Sequence, residues 1–276
     1  MLIDRQPNCR TLQLTGDGVE ALLHGQTTCE VRNLSESQGV IGALCNPKGR
    51  MISQFLIHKQ GDTWFLTMHE SLYDITLARL KKYGVFYKVD FGEFESGHSD
   101  IYFAQLDNIA LPPGQQWQMA SLNGQAAMQI DQAGKLWRVF GAIELAGEET
   151  NLTGAWLEAG IALLTLEETE TLLPQALGMA DIAGIDFKKG CYTGQEIVAR
   201  VHYKGKVKHQ LARFSAEQPV LENADIVDDL GKQIGKVFRS ATLQSKHWVL
   251  GLIAETDAIS FSADAIAMTR QTDRFH

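Results

Sequence analysis

One cysteine in the stretch KKGCYTGQEIVAR, residues 188–200, carries the most pointed chemistry in this 276-residue chain. Two lysines precede Cys191, and Gly190 and Gly194 bracket it. Glycines permit unusual φ angles and close backbone approach, so such a loop can wrap a ligand or cross another domain. Lys188 and Lys189 are cations of the kind that favour a thiolate, the reactive form of cysteine. Tyr192 brings a ring and a hydroxyl. Gln195 and Glu196 offer donors and acceptors to a heterocycle edge or to backbone. An inert buried cysteine has apolar neighbours, which this one lacks. A second candidate is CNPKGRMISQF, residues 45–55, where Pro47 and Gly49 suit a hairpin turn and Lys48 and Arg50 project from its tip toward any anion. The basic run through Arg200, Lys204, Lys206, Lys208 and Arg213 reads either as an anion-attracting groove or as a solvated face.

The pattern around these residues sets the elements that must position them. Residues 10–15 alternate as a short strand, and 16–25 follow as a helix with Val19, Leu22 and Leu23 inward. Apolar runs broken by NPKG and KQGD predict a three-stranded antiparallel meander over 39–68. Tyr73, Leu77 and Leu80 place a helix over about 70–83, stopped by Gly84. VFYKVDF, 85–91, reads as a strand. Residues 97–150 mix strands and short helices, with LPPG as a loop. Beyond 205 the short β-rich runs suggest a small barrel or sandwich. GDGVEA at 16–21 matches the local form of a dinucleotide fingerprint, with Glu36 about 20 residues on, but a meander rather than a βαβ series follows it.

Composition narrows the classes. Hydrophobic residues at 45% and charged residues at 21% fit a globular chain of two or three domains. The net charge of −8 argues against wide, non-specific nucleic-acid binding, which the basic run alone keeps open. Cys9, Cys29, Cys45 and Cys191 form no CxxC pair and no disulfide framework, and the eight histidines show no metal spacing, so no metal site is expected. No apolar run approaches the roughly 20 residues that span a bilayer, and the N-terminus, with Asp4 and no apolar core, does not read as a signal peptide. The expectation is a cytoplasmic protein with no membrane contact.

Five stretches together resemble the YgfZ-type folate-binding proteins, relatives of the aminomethyltransferase (T-protein) of the glycine cleavage system. KKGCYTGQEIVAR resembles their signature. LTGDGVEALLHGQTTCEV looks like their N-terminal segment, CNPKGRMISQF like their hairpin, LKKYGVFYKV (80–89) is similar to their LKKY segment, and LPQALGMADIAGIDFKKGC resembles the approach to the signature. The resemblance covers about residues 12–200, and GKQIGKV is similar to a strand pair of the family's C-terminal barrel. It implies an α+β, three-part, ring-like fold with tetrahydrofolate in a central hole and a C-terminal β-barrel. It divides the chain into 1–40 plus 141–204, then 41–140, then 205–276. It also implies a role in tRNA modification, thiomethylation included, and in maintaining iron–sulfur enzymes, which would be indirect partners. The signature cysteine is central to that role and maps to Cys191, as a redox thiol, a transient cluster ligand or a one-carbon acceptor.

Folate contacts follow from the same resemblance. Glu158 in WLEAG matches the pterin-binding glutamate of the aminomethyltransferases, since one carboxylate suits the adjacent N–H and amino groups of a pterin. Trp156 would stack on the ring or fill core. Tyr192, Gln195 and Glu196 are further candidates, and Lys48, Arg50 or Arg200 would receive the anionic tail. There are departures. Ser53-Gln54 stands where the aminomethyltransferases carry an acidic pair, Trp156 where they carry an arginine, and Cys9 near the place where the YgfZ group has a tryptophan. Without that carboxylate no base is evident for the parent amine chemistry. The leading expectation is therefore a folate-binding accessory protein acting through a reactive cysteine loop. The alternatives are a folate-dependent one-carbon transferase and a protein-docking scaffold that binds no folate.

Overall fold

The computed structural model describes residues 1–105, 111 and 114–271, so the two prolines of the LPPG loop lie outside the described residues. Strand β1 (Leu2–Asp4) starts one sheet, and the chain then leaves to build another. That second-built sheet is antiparallel, in the order β3-β4-β5-β2-β6, with β2 Cys9–Thr15, β3 Val40–Cys45, β4 Met51–Gln60, β5 Thr63–His69 and β6 Asp90–Phe94. The meander is as the turn chemistry predicts. The strand expected at 85–91 instead begins at Asp90, because the preceding residues form the turn on which the GDG segment rests. Gly16, at φ +113°, sits where a Cβ would lie 2.2 Å from the Lys88 carbonyl oxygen. The glycines of the apparent fingerprint thus serve close packing, and β2 runs antiparallel to both neighbours, as no dinucleotide βαβ unit does. Helices α1 (Val19–Gln26) and α2 (Tyr73–Gly84) pack on this sheet through Leu22, Leu23, Tyr73 and Leu80.

The chain then returns to the first sheet. β7 (His98–Tyr102), β8 (Met119–Leu122), β9 (Gln125–Gln129), β10 (Leu136–Phe140) and β11 (Glu148–Glu149) complete the order β11-β1-β7-β10-β9-β8. Among the described residues this stretch holds strands but none of the short helices expected there. The sheets also cut across the expected division of the chain: 41–140 supplies strands to both, and β2, from the first segment, lies between β5 and β6. Helix α3 (Thr153–Glu158), a loop-rich run with two 3₁₀ turns, and helix α4 (Gln195–Lys204) lead to the barrel.

Strands β12 (Gln210–Ala216), β13 (Asp225–Asp228), β14 (Gln233–Leu243), β15 (Lys246–Ile253), β16 (Phe261–Ala263) and β17 (Ile266–Gln271) close through β12–β17 pairing. Alternating inward residues, among them Phe214, Ile226, Val249 and Met268, fill the interior. A bulge between Val237 and Arg239 breaks that alternation. It turns Phe238 onto the core shared by the two sheets and aims Arg239 at Glu168 (2.8 Å).

Two uncharged histidines join the sheets. His58 of β4 stacks on Phe65 of β5 and meets Phe140 of β10 at a 4.0 Å ring separation. His98 of β7 meets Thr11 Oγ1 of β2 at 2.7 Å. Burial holds His58 down to about 3, and burial together with Arg138 holds His98 down to about 4. An unfolded chain takes up these protons near pH 6.5, the folded chain only near pH 3–4. Folding is therefore unopposed above about pH 6.5 and is opposed increasingly as pH falls through the window from 6.5 to 4. The expected outcome is a melting temperature flat between pH 7 and 8 that declines below 6.5, with a shallower decline in His58→Phe; calorimetry at stepped pH checks it.

Candidate functional site

The two chemistry-bearing motifs meet. In the β3–β4 hairpin Asn46 Oδ1 accepts from the backbone N–H groups of Lys48 and Arg50, and the Gly49 N–H reaches the Asn46 carbonyl at 2.9 Å. The signature loop lies against this turn. Gly194, the residue before α4, has φ +87°, and a Cβ there would fall 2.4 Å from Asn46 O. The glycine is required twice, by its left-handed backbone and by the contact. On the hairpin's other flank Arg50 donates to Thr171 O and Asn46 Nδ2 donates to Glu170 Oε1. Lys48 and Arg50 are exposed, as are Glu196 and Arg200 on α4.

The lysines before Cys191 part company. Lys188 points to solvent. Lys189 is buried, and its Nζ donates to the carbonyl oxygens of His24 (2.8 Å), Thr27 (2.6 Å) and Cys29 (2.8 Å). Burial draws this ammonium below the usual lysine range, opposed by Cys29, Glu30 and Asp186. All three donors are thus spent on backbone at the end of α1, so Lys189 anchors the loop and does not face the thiol as a free cation. Tyr192 is buried with its ring 5.1 Å from Lys189 Nζ, and Gln195 Nε2 reaches Lys189 O at 3.4 Å. Both hold the loop's shape. Cys191 itself is exposed. Burial pushes the thiols of Cys29 and Cys45 up to about 11 and 12, so neither is a nucleophile near neutral pH.

A cavity of about 160 Å³ opens where the two sheets, α3 and the barrel meet. Its walls include Trp156, Phe55, Gln54, Cys9, His69 and Arg239. Asp100 and Arg138 form a buried bidentate ion pair on its wall, both contacts 2.7 Å, and Trp156 Nε1 donates to Asp100 Oδ2 at 2.8 Å. The Arg138 guanidinium lies 4.7 Å from the Trp156 ring centroid. Gln54, in the cavity wall, accepts at Oε1 from the Leu164 N–H. Of the expected folate contacts, Trp156 lines this cavity. Glu158, two residues on and so on the opposite side of a short helix, accepts from the Tyr102 hydroxyl at 2.7 Å and lines a separate cavity of about 200 Å³. Cys191, Lys48, Arg50, Tyr192, Gln195, Glu196 and Arg200 line neither. The structure thus does not bring Cys191, Glu158 and Trp156 to one place.

Sequence reading missed Asp100, Arg138 and Arg239. A signal existed for the first two, since each is a charge inside an apolar strand (HSDIY and LWRVF), but their pairing across 38 residues is not visible in sequence. Arg239 depends on a bulge that no local pattern announces.

No protein-family model matches the chain. It is 28% identical over 243 residues to the tRNA-modifying protein YgfZ of Vibrio atlanticus, covering 83% of this chain and 74% of that one. Identity rises to 30% with the YgfZ proteins of Colwellia psychrerythraea (83% and 76% covered) and Vibrio vulnificus (87% and 78% covered). Among solved structures, the glycine cleavage system aminomethyltransferase T of Bartonella henselae matches all of this chain and 86% of its own, with a TM-score of 0.78 at 14% identity. That is a likeness of fold: mixed α and β, closed by a six-stranded barrel, as the sequence led one to expect.

Replacing Lys189 by Met leaves three carbonyls without their charged donor and should cost about 3 kcal/mol of stability. Lys188→Met should stay within about 0.5 kcal/mol of the parent. Urea midpoints at constant slope give both values, and amide exchange over 188–194 should accelerate in the first variant alone.

Proposed function

This chain belongs to the YgfZ family of tRNA-modifying proteins, and from that premise we propose that it serves tRNA modification by binding a reduced folate whose pterin ring occupies the Trp156 cavity. The observation that carries the reading is this cavity's combination of size, an aromatic wall and polar groups. Pockets for drug-sized ligands start near 300 Å³. A volume of about 160 Å³ suits the bicyclic head of a folate and leaves the tail outside. The Trp156 indole offers a stacking face. Asp100 accepts three hydrogen bonds from Arg138 and Trp156 and, with about four lone-pair positions, retains one for a pterin N–H. Arg239 supplies a cation in the wall toward the barrel.

Binding without the parent transfer reaction fits the same walls. The carboxylates lining the cavity are Asp4 and Asp100, and both are engaged: Asp4 by the backbone N–H groups of Gln6 and Leu152, Asp100 as above. Gln54 provides an amide, not a base. Cys191 then acts as an exposed thiol in support of iron–sulfur enzymes that thiomethylate tRNA, with folate held elsewhere in the molecule. Lys188, Glu196 and Arg200 edge this loop, and Lys48 and Arg50 edge the hairpin beside it.

Tetrahydrofolate should quench tryptophan fluorescence of the purified protein, and Trp156→Leu should abolish the response and weaken binding about tenfold or more, the worth of an aromatic stack of about 1–3 kcal/mol. Equilibrium dialysis showing no binding, or equal affinity in the variant, rejects the folate seat. Cys191→Ala should keep fold and folate affinity yet fail to restore tRNA thiomethylation in a deletion strain; full rescue removes the proposed role of the thiol.

A further inference from the structure

Beneath the Cys191 loop lies a histidine that nothing above employs. His24 closes the last turn of α1 and is 5% exposed. Its Nδ1 is 3.2 Å from Glu30 Oε1. A carboxylate only accepts, so this contact places a proton on Nδ1 and leaves Nε2 of the neutral ring as a bare acceptor. That Nε2 is buried and has no hydrogen-bond partner. It points at the signature loop: a Cβ built on Gly190, the residue before Cys191, would lie 3.0 Å from it. Gly190 has no side chain to close off the ring from the thiol-bearing turn. Glu30 is oriented in turn by the Arg32 N–H, at 2.7 Å.

We propose that His24, oriented by Glu30, is the proton acceptor that turns the Cys191 thiol into a nucleophile. The arrangement is carboxylate, imidazole, thiol, in the order that lets a fixed tautomer receive a proton. The proton passes from Sγ to Nε2 through one water, and the electron pair stays on sulfur. The thiolate then attacks an electrophilic carbon or sulfur presented at the surface. A new bond to Sγ forms as the bond to the leaving group breaks, and that group departs with its electron pair. The lysines do not fill this role, since Lys189 is committed to three carbonyls and Lys188 is turned to solvent. Lys189, whose ammonium meets the His24 carbonyl, is itself coupled to Cys29, Glu30, Asp186 and Arg32, and Tyr192 of the signature loop to Cys29, Cys45 and Asp186. Apart from Glu30, they are common to every variant below. The inference rests on the reading of Cys191 as a chemically active thiol.

The test follows alkylation of the native full-length chain by iodoacetamide between pH 5.5 and 9, with the modified residue located by peptide mass spectrometry. In this reaction the Sγ–C bond forms and iodide leaves. His24→Gln keeps a side chain of similar reach that takes up no proton, and Glu30→Gln removes the orienting charge. At pH 7 the parent's Cys191 should react at least about ten times faster than that of His24→Gln. The variant's pH profile should move toward alkaline, with Glu30→Gln in between. Superimposable profiles for parent and His24→Gln overturn the proposal. If thermal melts show that His24→Gln does not fold, Glu30→Gln decides, and an unmoved profile there overturns it equally. A parent Cys191 no faster than in urea-unfolded chain would instead remove the active-thiol reading itself, so the two failures are distinct.

Discussion

The ammonium of Lys189, held by the carbonyls of His24, Thr27 and Cys29, is the contact on which the thiol-bearing surface depends. The C-terminus of a helix leaves carbonyls without partners and carries partial negative charge. α1 ends inside the protein, where water cannot serve those groups. A buried cation from a distant segment serves them, which fixes the segment as firmly as the helix. Neighbouring contacts tighten the same seam: Thr28 Oγ1 donates to Gly184 O at 2.6 Å and the Asp186 N–H to Thr28 O at 2.9 Å. Gly190 and Cys191 follow directly on the pinned residue. Their position over His24 and beside the hairpin is inherited from it.

The central cavity depends on a different buried charge. Removing Asp100 and Arg138 from water is costly, and such a pair is weak evidence of added stability. Here it is bidentate, and the indole N–H of Trp156 takes a further lone pair of the carboxylate, so the charges are compensated in place. The guanidinium comes from β10 and lies against the face of that tryptophan. A cation and a flat ring thus lie together in the wall where sheets and barrel meet.

Much of the frame was legible in the sequence. NPKG and KQGD place two turns correctly because their chemistry is local, and the β-rich texture beyond 205 marks a barrel because alternation survives in isolated strands. VFYKVDF misled because its apolar residues lie in a turn that packs against the glycines of 16–18, a contact set by tertiary fit and not by strand propensity. The signature loop announced an exposed thiol, but the reading of Lys189 was lost to distance: its partners lie about 160 residues earlier. Glu158 illustrates a finer limit. A motif match assigns a residue to a family position, whereas on a six-residue helix a shift of two positions decides which cavity a side chain enters.

That separation bears on how the parts work together. The thiol does not lie in the wall of the pterin-sized cavity, so direct attack of Sγ on a carbon of a ligand held there is not what this geometry provides. The β3–β4 hairpin spans both places. Its tip, Asn46 to Gly49, carries the signature loop, and five residues beyond Gly49 the same strand presents Gln54 and Phe55 to the cavity. At about 3.3 Å per residue those points are roughly 16 Å apart along the strand. β4 is buried through most of its length, and from Met51 to Ile57 it is paired with β3, which makes it a stiff connection rather than a hinge. A ligand seated against Gln54 and Phe55 would order the strand from one end, and the hairpin tip would hold the Cys191 turn at the other. Under the proposed reading, a bound folate would stabilise the presentation of the thiol without reacting with it. This is consistent with the amide at Gln54 and with cavity carboxylates already committed to other partners.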